Sequence, residues 1–574
     1  MRNSIIGIWA LLVTAFIAVT VYYIVYFYME PLSRDQWHMY QALFDKGLLQ
    51  TSISTVSGHR HILAFLLYDI DMILFDGRNA FLTVINQLLN GALIIILCSQ
   101  ASKLPLSRLA RVLLCGWIIV LLTWLLNIAL LGWGFNGINN YLSIVPFTAA
   151  ILLLHIAVHQ QRTALCVPAL LLGLLATLSF ANGMLVWPTA LLSLYLWRAS
   201  KQFYIYILFA GAIAITTYFL LPGADSAQAA LKWPGWALLT FPAQVMGGPI
   251  YHLLRSWRVA DEQTLIYISS TCGAFITVTA LLQFFTLLRK RPSFNTFSSI
   301  CVALLCFGAG STVMLTMSRL DDFLDMTADR FQIFALLVWI GTSGLYCCVA
   351  TPAAVRRWEI FFIAFPLLAF PSQLDWGARL AEYHARVDNA LLSYQVYLPV
   401  KNDAEKALHW NWQNKLPALF YVLEHLRTDH KNIFFRGQAD WLGKPLKPDD
   451  AIPECELTVQ KTEWIVASDL LDVTSYNAAS NYNIHYAQKE TLVGQRWYMN
   501  AINLQWDYGI LVDQTTDTVD GLIQKVTDSK LPRANGLIRH SYNAHGVSRL
   551  INSASTGHTL VLFQAQKPIC TSNL

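Results

Sequence analysis

Long apolar runs separated by short polar loops fill the first two thirds of the chain. They fall at 5–27, 80–98, 110–131, 141–158, 164–179, 184–197, 202–221, 264–288, 296–317, 331–350 and 358–371. Around twenty residues of helix, rising about 1.5 Å each, match the hydrocarbon thickness of a bilayer. The pattern predicts a polytopic α-helical domain of about 11 spans, since a backbone in lipid must satisfy its own hydrogen bonds. Residues 62–75 are apolar too, but carry Asp69 and Asp71. Facing lipid would be costly for those acids, so this segment reads as an interfacial or re-entrant helix. The first run is too long for an ordinary signal peptide and has no small-residue cleavage site, so it is expected to remain as a helix.

After residue 371 the periodicity changes. Residues 376–398 and 404–428 alternate as amphipathic helices do, and from about 431 short β-like runs separated by turn residues take over. The expected organisation is a membrane domain over 1–371, a helical connector over 372–430 and a small β-rich domain over 431–574.

Composition strengthens the membrane reading: 55% of the 574 residues are hydrophobic and only 13% charged. An ordinary soluble domain carries about twice that charged fraction. The net charge of +5 is small for the length, and nothing argues for nucleic-acid binding. Twelve bases (Arg2, Lys103, Arg108, Arg111, Arg162, Arg198, Lys201, Arg289, Lys290, Arg291, Arg356 and Arg357) occupy every second loop. The positive-inside rule then puts the N-terminus in the cytoplasm. The loops at 28–61, 132–140, 222–263 and 318–330, and everything after about 372, are expected on the outer face. Eight of ten cysteines lie in or beside the apolar runs. The other two, Cys455 and Cys570, bracket the β-rich region in an oxidising space and are expected to form a disulfide.

Candidate chemistry concentrates between Pro31 and Tyr40 and continues to Gly58-His59-Arg60-His61. Ionisable residues beside a membrane cavity are functional candidates, because desolvating them is costly unless they are used or paired. The bland reading is a juxtamembrane loop anchored by Trp37 and Tyr40. No Walker A loop, Rossmann glycine fingerprint, His-Glu-x-x-His or Gly-x-Ser-x-Gly occurs. An activated substrate is therefore expected to arrive through the membrane. No cofactor is indicated, and no residue spacing calls for a divalent metal.

A first span followed at once by an outward acidic loop resembles the GT-C superfamily of polytopic glycosyltransferases. The chain is most similar to a largely uncharacterised bacterial GT-C-like group with a Glu-His-Arg-type motif leading into an apolar segment. Here that motif corresponds to Gly58-His59-Arg60-His61-Ile62-Leu63, with Gly58 in place of the acid. Ser179 through Pro188 is similar to the group's outward turn between two middle helices. Ser318-Arg319 and Asp329-Arg330-Phe331 resemble its paired arginines, although Asp329 and Phe331 depart from the usual Ser-Arg-Tyr. The resemblance implies a polyprenyl-phosphate sugar donor and a glycan or lipid-linked acceptor. It also implies transfer on the outer face of a bacterial inner membrane.

Such chemistry needs a carboxylate to take the acceptor hydroxyl's proton, and cations to meet the departing lipid phosphate. Asp35 is the candidate base, with His38, Asp69 and Asp71 as secondary candidates. Arg60 and Arg330 are the candidate phosphate ligands, followed by Arg319 and His59. For Arg330 an ion pair with Asp329 or Asp325 is the structural alternative, and His59 and His61 are read as solvated or capping. Asn182, Trp187 and the cluster Asn136, Asn139, Asn140 and Tyr141 are weaker candidates for a sugar pocket. A transporter or flippase, or a non-catalytic component of an envelope polysaccharide system, is the rival reading.

Overall fold

The chain is a helical, multi-pass membrane protein. A computed structural model describes residues 2–54, 60–221, 235–289, 295–318, 329–396, 400–403, 412–434, 438–442, 444 and 446, together with seven C-terminal strands. The first helices are α1 (Arg2–Phe27), α2 (Gln36–Ile53), α3 (Ile62–Leu74), α4 (Ala80–Ala101) and α5 (Arg108–Thr123). The short α6 (Ile128–Leu131) leads into α7 (Gly134–His159), α8 (Cys166–Ser179), α9 (Val186–Trp197) and α10 (Lys201–Leu220). Then follow α11 (Ala237–Ser256), α12 (Glu262–Arg289), α13 (Thr296–Ser318), α14 (Gln332–Val349), α15 (Pro352–Gln395) and α16 (Trp412–Thr428).

Among the described residues, eight helices are long and apolar enough to cross a membrane, and a shorter apolar helix covers Thr163–Ser179. The count falls below the expected eleven because α9 has only twelve residues and the last apolar run is absorbed into α15. Burial sorts the bundle into centre and periphery. The Arg108–Leu131 and Asp329–Val349 windows are each 83% buried, against 22% for Asn3–Phe27 and Glu262–Arg289. Exposed Ile8, Leu11, Val25, Phe275 and Leu282 give the outer helices the apolar surface a lipid environment requires.

Two boundaries differ from expectation. The stretch 222–263, expected as a loop, contains the 20-residue α11, packed against α12 and α14. Its prolines, glycines, Gln244 and His252 dilute the hydropathy, yet those glycines permit close packing. A Cβ on Gly247 would sit within 1.7 Å of the Ser269 carbonyl, and one on Gly273 within 1.9 Å of the Ala243 carbonyl. The boundary expected at 371 lies inside α15, a single helix of 44 residues that carries Pro366 and Pro371. Composition reports where the apolar surface stops; the backbone hydrogen bonds run on.

Two buried cores meet along the chain. One fills the bundle around Trp117, Trp124, Phe147, Phe334 and Trp339. The second joins Leu32, Trp37, Tyr40, Phe65 and Tyr68 to Leu391, Tyr394, Leu419, Phe420 and Leu423 from α15 and α16. Strands β1 (Leu457–Val466), β2 (Leu492–Ala501), β3 (Tyr508–Asp513), β4 (Thr518–Lys525), β5 (Ala544–Arg549), β6 (His558–Gln564) and β7 (Lys567–Asn573) pair antiparallel in the order β1-β2-β5-β4-β3-β6-β7. The proposed Cys455–Cys570 bond falls outside the described residues, since Cys455 is not among them.

A candidate functional site at one end of the bundle

Residues 29–35, between α1 and α2, and Gln36, which opens α2, are held by buried amides. Gln36 is the hub: its Oε1 accepts from Trp133 Nε1 at 2.8 Å and from the Ser33 N–H at 3.1 Å, while its Nε2 donates to Asn79 Oδ1 at 2.8 Å. From the far end of the sequence, Asn432 accepts from the Leu32 N–H and donates to the carbonyls of Glu30 and Gly77. Buried polar groups satisfied on every side rigidify a segment, because any displacement orphans several of them together.

Arg34 adopts a left-handed backbone at φ +55°. Its Nε donates to the Tyr383 hydroxyl at 2.8 Å, and its guanidinium lies over the rings of Tyr383 and Trp133. Asp35 follows as the residue before α2 and accepts a hydrogen bond from Lys415 Nζ of α16 at 2.7 Å. Partial burial pushes the Asp35 carboxyl up, but the Lys415 charge and hydrogen bond, with Arg330 and His38 beyond, hold it below the usual carboxylate range. Asp35 is thus a carboxylate at neutral pH.

Asp35 and Arg34 form one wall of a cavity of about 250 Å³, just below the roughly 300–1,000 Å³ of ordinary ligand clefts. Asn136, Asn139 and Asn140 of α7 line it too, as do Phe180, Ala181 and Asn182. The turn after α8 reaches this position because Gly183 packs on the Ala176 carbonyl, where a Cβ would fall within 1.8 Å. Arg330, from the 3₁₀ turn Asp329–Phe331 that opens α14, closes the ring and lies over the Phe331 side chain.

Asp35 and Arg330 therefore share one cavity, and Arg34 is a lining cation that sequence reasoning passed over. Arg60 is elsewhere: it is 2% exposed, and its guanidinium donates to the carbonyls of Ile53 and Leu221. Those bonds join the end of α2 to the end of α10. Arg319 and His59 lie outside the described residues. His38 stands one turn into α2 and is not on the cavity wall. Its imidazole is held below the usual range by burial and by Lys415.

Asp71 and Asp69 are also off the wall. Asp71 is buried, and its Oδ2 accepts from the Asn79 N–H at 3.0 Å at the start of α4. Burial pushes its carboxyl up to about 7, against the lowering effect of the Asn79, Leu82 and Phe81 N–H groups. It serves as a helix-end ligand for α4. Asp69 is raised by burial, with Lys431 opposing. Trp187 is buried and donates to Thr177, and buried Tyr141 sits beside Asn127, so both belong to the packing. Among the described residues no three His, Cys, Asp or Glu side chains form a metal-sized cluster.

The missed residues had weak signals. Arg34 sits next to the acid already singled out, while Lys415 lies 380 positions away in sequence. No family model, no curated protein and no solved structure matches this chain.

Proposed function

We propose that the protein is a GT-C-type membrane glycosyltransferase that moves a sugar from a polyprenyl-phosphate donor to a cell-envelope glycan or lipid-linked acceptor. The carrying observation is the cavity that joins one ionised carboxylate, Asp35, to two arginines, Arg34 and Arg330, beside three asparagines of α7. Asp35 takes the proton of the acceptor hydroxyl as its oxygen attacks the anomeric carbon. The bond from that carbon to the phosphate oxygen breaks, and the electron pair leaves with the lipid phosphate. Arg330 and Arg34 meet the charge that develops there, in a cleft where such contacts are stronger than in water. A phosphate is a good enough leaving group that no second, protonated acid is needed. In this reading the reaction side is the outer face of a bacterial inner membrane, with the N-terminus cytoplasmic and the strands periplasmic.

The test is turnover by purified protein in nanodiscs with a panel of polyprenyl-phosphate glucose, galactose, mannose and 4-amino-arabinose, using envelope glycolipid extract as acceptor. Wild-type protein should transfer sugar from at least one donor, and Asp35→Asn should lower the rate by about two to four orders of magnitude. Equal turnover in the two proteins would remove Asp35 from the chemistry. Movement of intact donor across the bilayer of sealed proteoliposomes, without transfer, would favour a flippase.

A further inference from the structure

Arg34 carries a charge that never titrates in a protein, and it lines the cavity. Among the described residues no carboxylate is paired with it, and Asp35 and Asp329 act on it only through space. Its neighbours are two rings and a phenol. The guanidinium carbon stands 4.9 Å from the Tyr383 ring centre and 5.5 Å from that of Trp133. Nε donates to the Tyr383 hydroxyl at 2.8 Å. Nη1 and Nη2 have no hydrogen-bond partner among the described residues, and neither is sealed from solvent. Tyr383 is anchored in turn. Its hydroxyl shares a hydrogen bond with Ser33 Oγ at 3.0 Å, and Arg386 lies over its ring at 5.2 Å. The left-handed backbone of Arg34 is uncommon for any residue but glycine, and it persists only where the surroundings impose it.

We infer that Tyr383 is a positioning residue: by taking up the Nε–H of Arg34 it leaves Nη1 and Nη2 as a fork for two oxygens of one phosphate group in the Asp35 cavity. A guanidinium grips an oxygen pair through Nε with one Nη, or through Nη1 with Nη2. Tyr383 occupies the first edge, so only the second remains. A sugar hydroxyl offers one oxygen and cannot fill it, whereas a phosphate with two unesterified oxygens can, on a lipid headgroup or free. That the oxygen pair belongs to a phosphate rests on the glycosyltransferase reading; that Nη1 and Nη2 form the open edge does not. Asp35, the carboxylate on the same wall, is offset by Lys415, which weakens its repulsion of an incoming anion. A fork already held by a phenol and two rings loses little freedom when it binds.

The test is calorimetric titration of the full-length protein in nanodiscs, with empty nanodiscs as the blank. The probes are farnesyl phosphate, inorganic phosphate and, as the uncharged control, farnesol. Tyr383→Phe keeps the ring and loses the hydroxyl. It should weaken farnesyl phosphate about tenfold and leave farnesol unchanged, a difference that general damage to the fold would not produce. Arg34→Ala should weaken the phosphate probe at least as much, and Tyr383→Phe should then add nothing further. Arg34→Lys, which keeps the charge without the fork, should recover only part of the loss. Binding of farnesyl phosphate alone supports a lipid headgroup as the source, and binding of both phosphates supports a free one. Binding of neither overturns the inference. So do losses from Arg34→Ala and Tyr383→Phe that multiply independently, or an equal loss for farnesol. No arm needs turnover. A cycle that holds while every donor in the panel is inert keeps the fork and removes the glycosyltransferase; turnover alongside a silent Tyr383→Phe removes only the fork.

Discussion

Lys415 Nζ stands 2.7 Å from Asp35 Oδ1, so a helix from the connector completes the surroundings of a carboxylate set by the first membrane loop. Lys415 is largely buried, whereas about half of the Asp35 side chain is exposed. A pair so placed contributes little to stability but sets the charge state of the acid.

Lys415→Met tests that effect. The lysine lowers the Asp35 pKa, so its removal raises it, and the base then becomes protonated at higher pH. The acid limb of the kcat/KM profile should move upward in pH, with the alkaline side unchanged. Thermal unfolding should shift by less than about 1 kcal/mol. A limb that stays in place would show that Lys415 does not tune Asp35.

Arg330 separates charge from shape. Under the proposed function, Arg330→Ala should lower kcat/KM for a lipid-phosphate donor by about 10- to 100-fold, through loss of charge-assisted hydrogen bonding. Arg330→Lys keeps the charge but replaces a planar fork by a point charge, so it should recover only part of that. Full activity in both variants would remove Arg330 from donor binding.

Asp71 gives the opposite pH signature to Asp35. Its folded pKa of about 7 lies above the 3.8 of an ordinary aspartate, so the folded state holds a proton that the unfolded state has released. Stability attributable to Asp71 therefore falls as pH rises from about 4 to 7, by an amount on the order of a few kcal/mol. Asp71→Asn should be as stable as wild type near pH 4 and more stable at pH 8, with transfer retained. Loss of transfer with intact folding would make Asp71 the base.

The α11–α12 contact is tested by adding one carbon. Gly273→Ala gains up to about 1 kcal/mol of helix propensity but drives a Cβ into the Ala243 carbonyl. Overpacking of this kind costs about 1–3 kcal/mol, so the unfolding midpoint should fall. Gly91→Ala in α4 has nothing within 4 Å and should leave the midpoint unchanged or raise it.

What could be read from sequence was whatever lies along one segment. The apolar runs showed most helices, and Asp35 and Arg330 stood out as charges beside apolar runs. Helix α11 did not, because the glycines that let it pack against α12 also lower its hydropathy. Arg60 and Arg330 looked alike in sequence; only folding shows one tied to two carbonyls and the other on a cavity wall. His61 was read as a solvated or capping histidine because its partners, Asn139 and Phe180, lie 78 and more residues away.

The ties between residues 30–35 and residues 383, 415 and 432 also set an order of events during synthesis. Leu32 must wait 400 positions for the side chain of Asn432, and Asp35 380 for Lys415. At about 5–20 residues per second the ribosome needs roughly 20–80 s to supply them. Throughout that interval the first loop is already made, but the cavity has no fixed wall on this side. A chain that stops before α16 keeps Asp35 and lacks the lysine that tunes it, so premature products of translation are not small versions of the working protein.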